Sequence, residues 1–592
     1  MTTYSFGPTP CDNGFEFRLW APRQETILLD VEGRPPQPME RDEKGWHFAH
    51  APCPAGTRYA FLLPDGTRVP DPASRHQPED VHGPSEIVHT RAFSWMTPDW
   101  RGRAWEETIL YELHVGTFTP DGTFAAAIER LDHLAALGIT AIQIMPVADF
   151  PGRRNWGYDG VLPYAPDSRY GRPEDMMAFI DAAHSRGISV FLDVVYNHFG
   201  PDGNYLPLMA PIFTDSHHTP WGNAVNLDGE GARDARDFLI ENALYWIVDY
   251  RLDGLRFDAV HALIDDSEEH LLHEMARRIR AAAGDRHVHL IVENEENDAR
   301  LLDRNGDGKA ETYTAQWNDD IHHVLHVAAT GETTGYYADY EGEEKLIRAL
   351  VDGFVFQGET MPYRGTPRGE PSGELPPTAF VSFIQNHDQV GNRAYGDRIG
   401  EIAKPEALRA IAALYLLAPQ IPMLFMGEEW NAKTPFPYFC DFNEELNTAV
   451  REGRAKELAR LPGFQDHDGE PPVPTVPETF EAAKLDWEER LSGDHADHLS
   501  LYKRLIALRR STVIPRLPGI TGKAEGERLA GKVIRVTWRL GDGSRLTVTA
   551  NLDDVDGVPI AAPAGRSLWI EGAVGASGEI GAWTVIWTLE QP

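Results

Sequence analysis

Cysteine is nearly absent: Cys11, Cys53 and Cys440 are all there is in 592 residues, an odd number in unrelated contexts with no Cys-x-x-Cys spacing. That argues against a disulfide framework and a thiolate zinc site, and it predicts a reducing, cytoplasmic setting. Long apolar runs are missing too. The most apolar region, residues 410–427, is interrupted by Pro419, Gln420 and Pro422, so it reads as a buried helix, a turn and a strand rather than a membrane span. Residues 1–7 lack the basic start and apolar core of a signal peptide. Positive charge is scarce, with 55 Lys and Arg against 91 Asp and Glu and a formal net charge of −36. Nucleic acid and anionic membrane are therefore poor partners, and a neutral substrate meets no objection.

A chain of 592 residues exceeds one small core, and two to four domains are expected. Residues 15–19 alternate, residues 26–31 are β-rich, and Phe61-Leu62-Leu63 runs into a Pro64-Asp65-Gly66 turn before Thr67-Arg68-Val69. These predict an all-β module, a β-sandwich over residues 1–95. From residue 108 the rhythm becomes strand then helix. Strands are predicted at 109–115, 139–147, 188–197, 255–260, 289–293, 380–385 and 421–426, with helices at 124–137, 174–186, 238–252, 270–283, 406–417 and 499–508. Such alternation implies a parallel sheet covered on both faces. The best fit is an α/β fold, a (β/α)8 TIM barrel over residues 96–515. A doubly wound sheet is the alternative, although no glycine-rich dinucleotide turn follows the first strand. Residues 199–231, rich in Asp, Asn, His, Pro and Gly, read as an aperiodic loop at the catalytic end, and the proline-rich residues 462–477 as a surface excursion. Past residue 515, Ile534, Val536, Trp538 and Leu540 alternate, Gly541-Asp542-Gly543 turns, and Leu546, Val548 and Ala550 alternate again, predicting a small C-terminal β domain over 516–592.

At the centre lies Arg251-Leu252-Asp253-Gly254-Leu255-Arg256-Phe257-Asp258. Gly254 is expected to end the preceding helix, and period-two geometry puts Arg256 and Asp258 on one face of the following strand. Alone, an Arg-x-Asp is more often a structural ion pair. Other strand ends change its meaning: one finishes Leu192-Asp193-Val194-Val195-Tyr196-Asn197-His198, another Ile291-Val292-Glu293-Asn294, a third Gln385-Asn386-His387-Asp388. In a barrel these ends converge on one pocket. Several carboxylates without a His/Cys metal cluster suit retaining glycoside hydrolysis, in which one carboxylate attacks the anomeric carbon and a protonated one assists the leaving oxygen. Crowded like charges let one carboxyl stay an acid, and a neighbouring guanidinium keeps another ionised. Glu293 falls at its strand end; Glu295 lies beyond it.

These four segments resemble the signature regions of the α-amylase superfamily of retaining α-glucoside enzymes, and the early β module resembles the carbohydrate-binding-like N-terminal domain of its branching and debranching members. More closely, Gln385-Asn386-His387-Asp388-Gln389-Val390-Gly391-Asn392-Arg393, Trp317-Asn318-Asp319-Asp320-Ile321-His322-His323, the run from Thr219-Pro220-Trp221-Gly222 to Asp228-Gly229, and Met426-Gly427-Glu428-Glu429 resemble the maltooligosyltrehalose trehalohydrolase family within it. The resemblance implies Asp258 as nucleophile, Glu293 as general acid and base, and Asp388 as the third carboxylate. Arg256 would orient Asp258, His198 and His387 would bond the attacked sugar, Tyr158 would stack on it, and Asp193 would brace the site. Trp221 and Trp317, set among polar residues, read as sugar platforms, and Asp319 as a further substrate contact. It also implies maltooligosyltrehalose as substrate, trehalose as product, and a maltooligosyltrehalose synthase as pathway partner, with no cofactor and no metal.

Other signals carry less. Asp303-Arg304-Asn305-Gly306-Asp307-Gly308 opens like an EF-hand loop, but its twelfth position is Thr314 where a bidentate Glu is needed, so a polar turn is expected. His217-His218 and His322-His323 are adjacent pairs, a poor metal pattern. Phe354 and Phe356 fit a sugar platform or the core equally. A glycogen-branching transferase would share the three carboxylates and the N-terminal module, and a non-catalytic glucan-binding protein would be expected to lack one of them.

Overall fold

The computed structural model describes residues 4–458 and 470–592. In the N-terminal module, Gly14–Trp20 pairs antiparallel with Trp46–Ala51, and Leu28–Val31 pairs with Arg58–Leu62 in a second sheet. Alternate side chains turn inward, so Phe15, Phe17 and Leu19 of one sheet meet Leu29, Val31, Tyr59 and Phe61 of the other in one core. The strand Trp46–Ala51 was not anticipated; its two histidines break the apolar alternation, yet His47 is fully buried. The module is tied to the barrel by Trp46 Nε1, which donates to Asp234 at 3.1 Å, and by Arg75, whose guanidinium lies 4.4 and 4.2 Å from the ring centroids of Tyr164 and Tyr245.

Eight parallel strands close into a barrel: β1 (Leu110–Leu113), β2 (Ala141–Ile144), β3 (Ser189–Val194), β4 (Gly254–Phe257), β5 (His289–Val292), β6 (Ala315–Trp317), β7 (Phe380–Ser382) and β8 (Ile421–Phe425). Seven coincide with predicted strands. The eighth, β6, is only three residues long, between a polar turn and the helix Asp319–Thr330, too short for a periodic signal. Leu110, Ala141, Phe191, Ile291, Ala315, Val381 and Ile421 pack together inside the barrel, with Trp105 closing this cluster. Two residues further along, the same strand faces present Glu112, Gln143, Asp193 and Glu293. An apolar floor under a polar layer follows from period two alone.

Three details depart from expectation. The helix predicted at 124–137 is two, Phe124–Ile128 and Leu131–Leu137, the second closed by Gly138 at φ 102°. The helix before β4 runs Ala232–Val248, so Gly254 does not end it. Gly254 opens β4 instead, where a Cβ would come within 2.3 Å of the His289 carbonyl of β5. Within residues 199–231, the structure has a short helix, Leu206–Met209, and a hairpin, Phe213–Thr219 with Gly222–Val225, whose tip carries Trp221. Of the proline-rich stretch 462–477, residues 462–469 lie outside the described residues.

The C-terminal strands Glu525–Arg528, Val533–Arg539, Arg545–Asn551, Thr584–Glu590 and Arg566–Glu571 form one antiparallel sheet in that spatial order. Its buried Trp538 and Trp587 donate their indole N–H groups to the Leu350 and Ala413 carbonyls of the barrel's outer helices, at 3.2 and 2.9 Å. Among the described residues no helix is long and apolar enough to cross a membrane.

Candidate active site

Arg256 of β4 is in register with Asp193 of β3, which brings a guanidinium against a carboxylate in the barrel's polar layer. It is 1 % exposed, and its Nη1 donates to Asp193 Oδ1 and Oδ2 at 2.9 and 2.8 Å and to Asp258 Oδ1 at 2.8 Å. Its Nη2 meets Glu293 Oε2 at 2.8 Å. The sequence suggested one partner for this arginine; the structure gives it three carboxylates from three strands. The ring of Trp317 lies 4.2 Å from the guanidinium carbon. Such a cation is buried only because its charge is compensated several times over.

Asp258 directly follows β4. Besides Arg256 it accepts the Asn197 Nδ2 at 2.8 Å on Oδ2, and the same amide donates to the Asp258 carbonyl at 3.0 Å. The next residue, Ala259, turns the chain into the left-handed region (φ 41°, ψ 51°), a conformation that costs a non-glycine residue about 1–2 kcal/mol. The turn aims the Ala259 N–H at Glu293 Oε2, 2.9 Å away. Glu293, the residue after β5, therefore has one oxygen held by Arg256 and Ala259. Asp388 follows β7 in the helical turn His387–Gly391, whose N-terminus is capped by Asn386 Oδ1 accepting from the Gln389 N–H at 2.8 Å. Asn392 Nδ2 donates to Asp388 Oδ1 at 2.8 Å.

Asp258, Glu293, Asp388, Asp319, Tyr158, His198, His387, Arg256 and Trp221 all line one cavity of about 900 Å³. Burial pushes Asp193 up to about 7 against the pull of Arg256, and burial together with Glu293 and Asp388 pushes Asp319 up to about 8. Asp388 is also raised by burial, with the His387 charge opposing. Tyr158 donates its hydroxyl to Asp193 Oδ2 at 2.7 Å and stacks on His387, with ring centroids 5.1 Å apart. His198 Nε2 lies 2.9 Å from the Tyr158 carbonyl, and Trp221, half exposed, lies parallel to the His198 ring at 4.8 Å and 3°. Trp317 does not join them: it is 1 % exposed, beneath Arg256, and cannot stack on a ligand from there. Phe354 and Phe356 belong to the core. Tyr336 carried no signal in the sequence and His323 only one as a member of an adjacent pair; the unpredicted helix after β6 and the segment following it deliver both to the cavity.

Among the described residues, one grouping has metal-ligand geometry: His217, Asp228 and Asp266, whose ligand atoms fall within 4.8 Å of one another, His217 near the tip of the Trp221 hairpin. His217 Nε2 lies 2.9 Å from Asp228 Oδ2, a distance that an ion pair accounts for. The 303–308 loop is a polar turn in which Asn305 Oδ1 accepts the N–H groups of Asp307 and Lys309, each at 3.0 Å.

The closed eight-stranded barrel, with its acidic cavity at the strand ends, is that of an α-amylase-type glycoside hydrolase, and the alpha amylase catalytic-domain family matches residues 88–208. A domain family of unknown function matches residues 522–587. Malto-oligosyltrehalose trehalohydrolase from Rhizobium sp. (strain M-11) is 44 % identical over 86 % of this chain and 87 % of its own, and that from Deinococcus radiodurans is 41 % identical over 92 % and 90 %. The chain belongs to the malto-oligosyltrehalose trehalohydrolase family. The crystal structure of a candidate alpha amylase from Salmonella typhimurium superposes with a TM-score of 0.95 at 45 % identity, covering all of both chains.

Proposed function

We propose that this glycoside hydrolase cleaves the α-1,4 bond next to the trehalose end of maltooligosyltrehalose, with retention, releasing trehalose and a shortened maltooligosaccharide. Glu293 gives its proton to the leaving oxygen of trehalose while Asp258 bonds to the anomeric carbon. Trehalose departs. Water then adds to that carbon, Glu293 takes its proton, and the bond to Asp258 breaks. Asp388 binds ring hydroxyls of the distorted sugar, Asp193 braces Arg256, and His198 and His387 reach the sugar in the attacked subsite. Tyr158, with its hydroxyl engaged by Asp193, offers its ring to that sugar; Trp221 and Asp319 serve the binding of the chain. Trp317 supports Arg256 from below.

The observation that carries this reading is the double grip of Arg256, with Asp258 on Nη1 and Glu293 on Nη2, each at 2.8 Å. One planar fork holding both carboxylates favours the short separation of retaining enzymes, about 5–5.5 Å, over the roughly 6.5–9.5 Å that leaves room for water between nucleophile and acid. The substrate is made by a partner synthase, in the same cytoplasmic compartment. Parallel time courses on maltooligosyltrehalose and on a plain maltooligosaccharide of similar length test the substrate assignment. Trehalose release far faster than maltooligosaccharide cleavage supports it; equal cleavage, or new branch points, refutes it.

A further inference from the structure

Glu112 stands in the polar layer of the barrel on β1, fully buried, and both its oxygens go to one residue. Oε2 accepts the backbone N–H of His387 at 3.0 Å, and Oε1 lies 2.7 Å from Nδ1 of the same histidine. His387 is the residue before Asp388. Its ring stacks on Tyr158 and stands perpendicular to the Trp156 ring at 5.4 Å and 90°. With Nδ1 on Glu112, Nε2 is the ring nitrogen left for the cavity that His387 lines.

The charge balance makes this contact matter. Asp193, Asp258 and Glu293 pair with Arg256, whose charge also reaches Asp388, while Asp319 answers to Arg368. The groups facing His387 are Glu112 from β1, Asp388 beside it, Arg256 from β4 and, farther off, Asp193 and His114. Burial and Arg256 oppose a charge on the ring, Glu112 and Asp388 favour it, and the outcome is a ring held above its ordinary range. A ring whose Nδ1–H is tied to a carboxylate presents Nε2 as a donor when charged and as an acceptor when neutral.

We infer that Glu112 is a positioning residue for the hydrolysis: by gripping both the main chain and the ring of His387 it fixes the peptide that carries Asp388 and keeps Nε2 a hydrogen-bond donor toward the sugar. This rests on the glycoside-hydrolase reading of the cavity. Glu112 itself touches no substrate; it acts through His387.

The test pairs Glu112→Gln with ring-labelled histidine NMR, the His387 signal being assigned by its loss in His387→Asn. The His387 ring is expected to hold its proton to higher pH in the unaltered protein than in Glu112→Gln. The ratio of kcat/KM on maltooligosyltrehalose, variant to wild type, falls roughly 10- to 100-fold where only the unaltered ring is charged, the scale of one charge-assisted hydrogen bond, and recovers toward lower pH as the variant's ring recharges. A purely structural glutamate would lower the ratio equally at every pH. Such a pH-independent ratio, or an unchanged one, overturns the inference. Should Glu112→Gln not fold, the wild-type ring decides alone: a His387 titration midpoint at or below the ordinary imidazole value of about 6.5 is contrary to it. A wild-type protein that releases no trehalose would instead defeat the substrate reading, and the ring measurement would stand apart from it.

Discussion

Arg256 and Glu293 meet at 2.8 Å through Nη2 and Oε2, while the other arm of the same guanidinium holds Asp258 and Asp193. The two carboxylates assigned to attack and to proton transfer are thus positioned by one rigid group. A lysine keeps the charge but has no planar fork to span them. Arg256→Lys is therefore expected to lower kcat by about 100-fold or more, comparable to loss of a preorganised donor. Arg256→Met, which leaves Asp193 buried without its cation, should cost about 3–5 kcal/mol of folding stability in urea titration. An Arg256→Met protein of ordinary stability would contradict this account.

Asn197 should rank with the acidic residues despite being uncharged. Its amide donates to the Asp258 carboxylate at 2.8 Å and to the Asp258 carbonyl at 3.0 Å, fixing both the side chain and the peptide that begins the Ala259 turn. For Asn197→Ala, kcat should drop roughly 10- to 100-fold with a smaller change in KM, the cost of one hydrogen bond to a charged group. Steady-state kinetics with an unchanged kcat would rule out this role.

Asp319 carries a pH signature. Its carboxyl is raised from 3.8 to about 8 by burial and by Glu293 and Asp388. A folded-state value above the unfolded one means that the folded protein binds the extra proton. The group's contribution to stability is then complete below about pH 4 and is lost as pH rises through about 8. Asp319→Asn mimics the protonated form without the titration. It should raise stability relative to wild type by roughly 1–3 kcal/mol above about pH 8, with the difference vanishing near pH 4. Thermal melts of both proteins across that range measure it, and a difference independent of pH would contradict the assignment.

Much of this was legible in the sequence because barrel strands state their periodicity openly: residues 188–192 and 289–292 are largely apolar and run straight into Asp193 and Glu293. Strand β6 was not legible. Its three residues hold one apolar side chain of each size and one glutamine, and its membership of the barrel comes from pairing with β5 and β7. That gap also hid Trp317, whose polar neighbours in sequence suggested exposure although its register turns it inward beneath Arg256. The reach of Arg256 to Glu293 and of Glu112 to His387 could not be read either, because both depend on strand register across the barrel. Trp221 was visible as an aromatic among polar residues, but the hairpin that presents it parallel to His198 was not, since its strands lack alternation.

The most direct measurement asks which residue carries the sugar. Incubation with a 5-fluoro-α-glucosyl fluoride, which forms the glycosyl-enzyme faster than water releases it, followed by digestion and peptide mass spectrometry, locates the covalent bond. The account predicts the added mass on Asp258 and none on Glu293 or Asp388. Labelling of either other carboxylate, or no label together with inverted anomeric configuration in the released maltooligosaccharide, would contradict it.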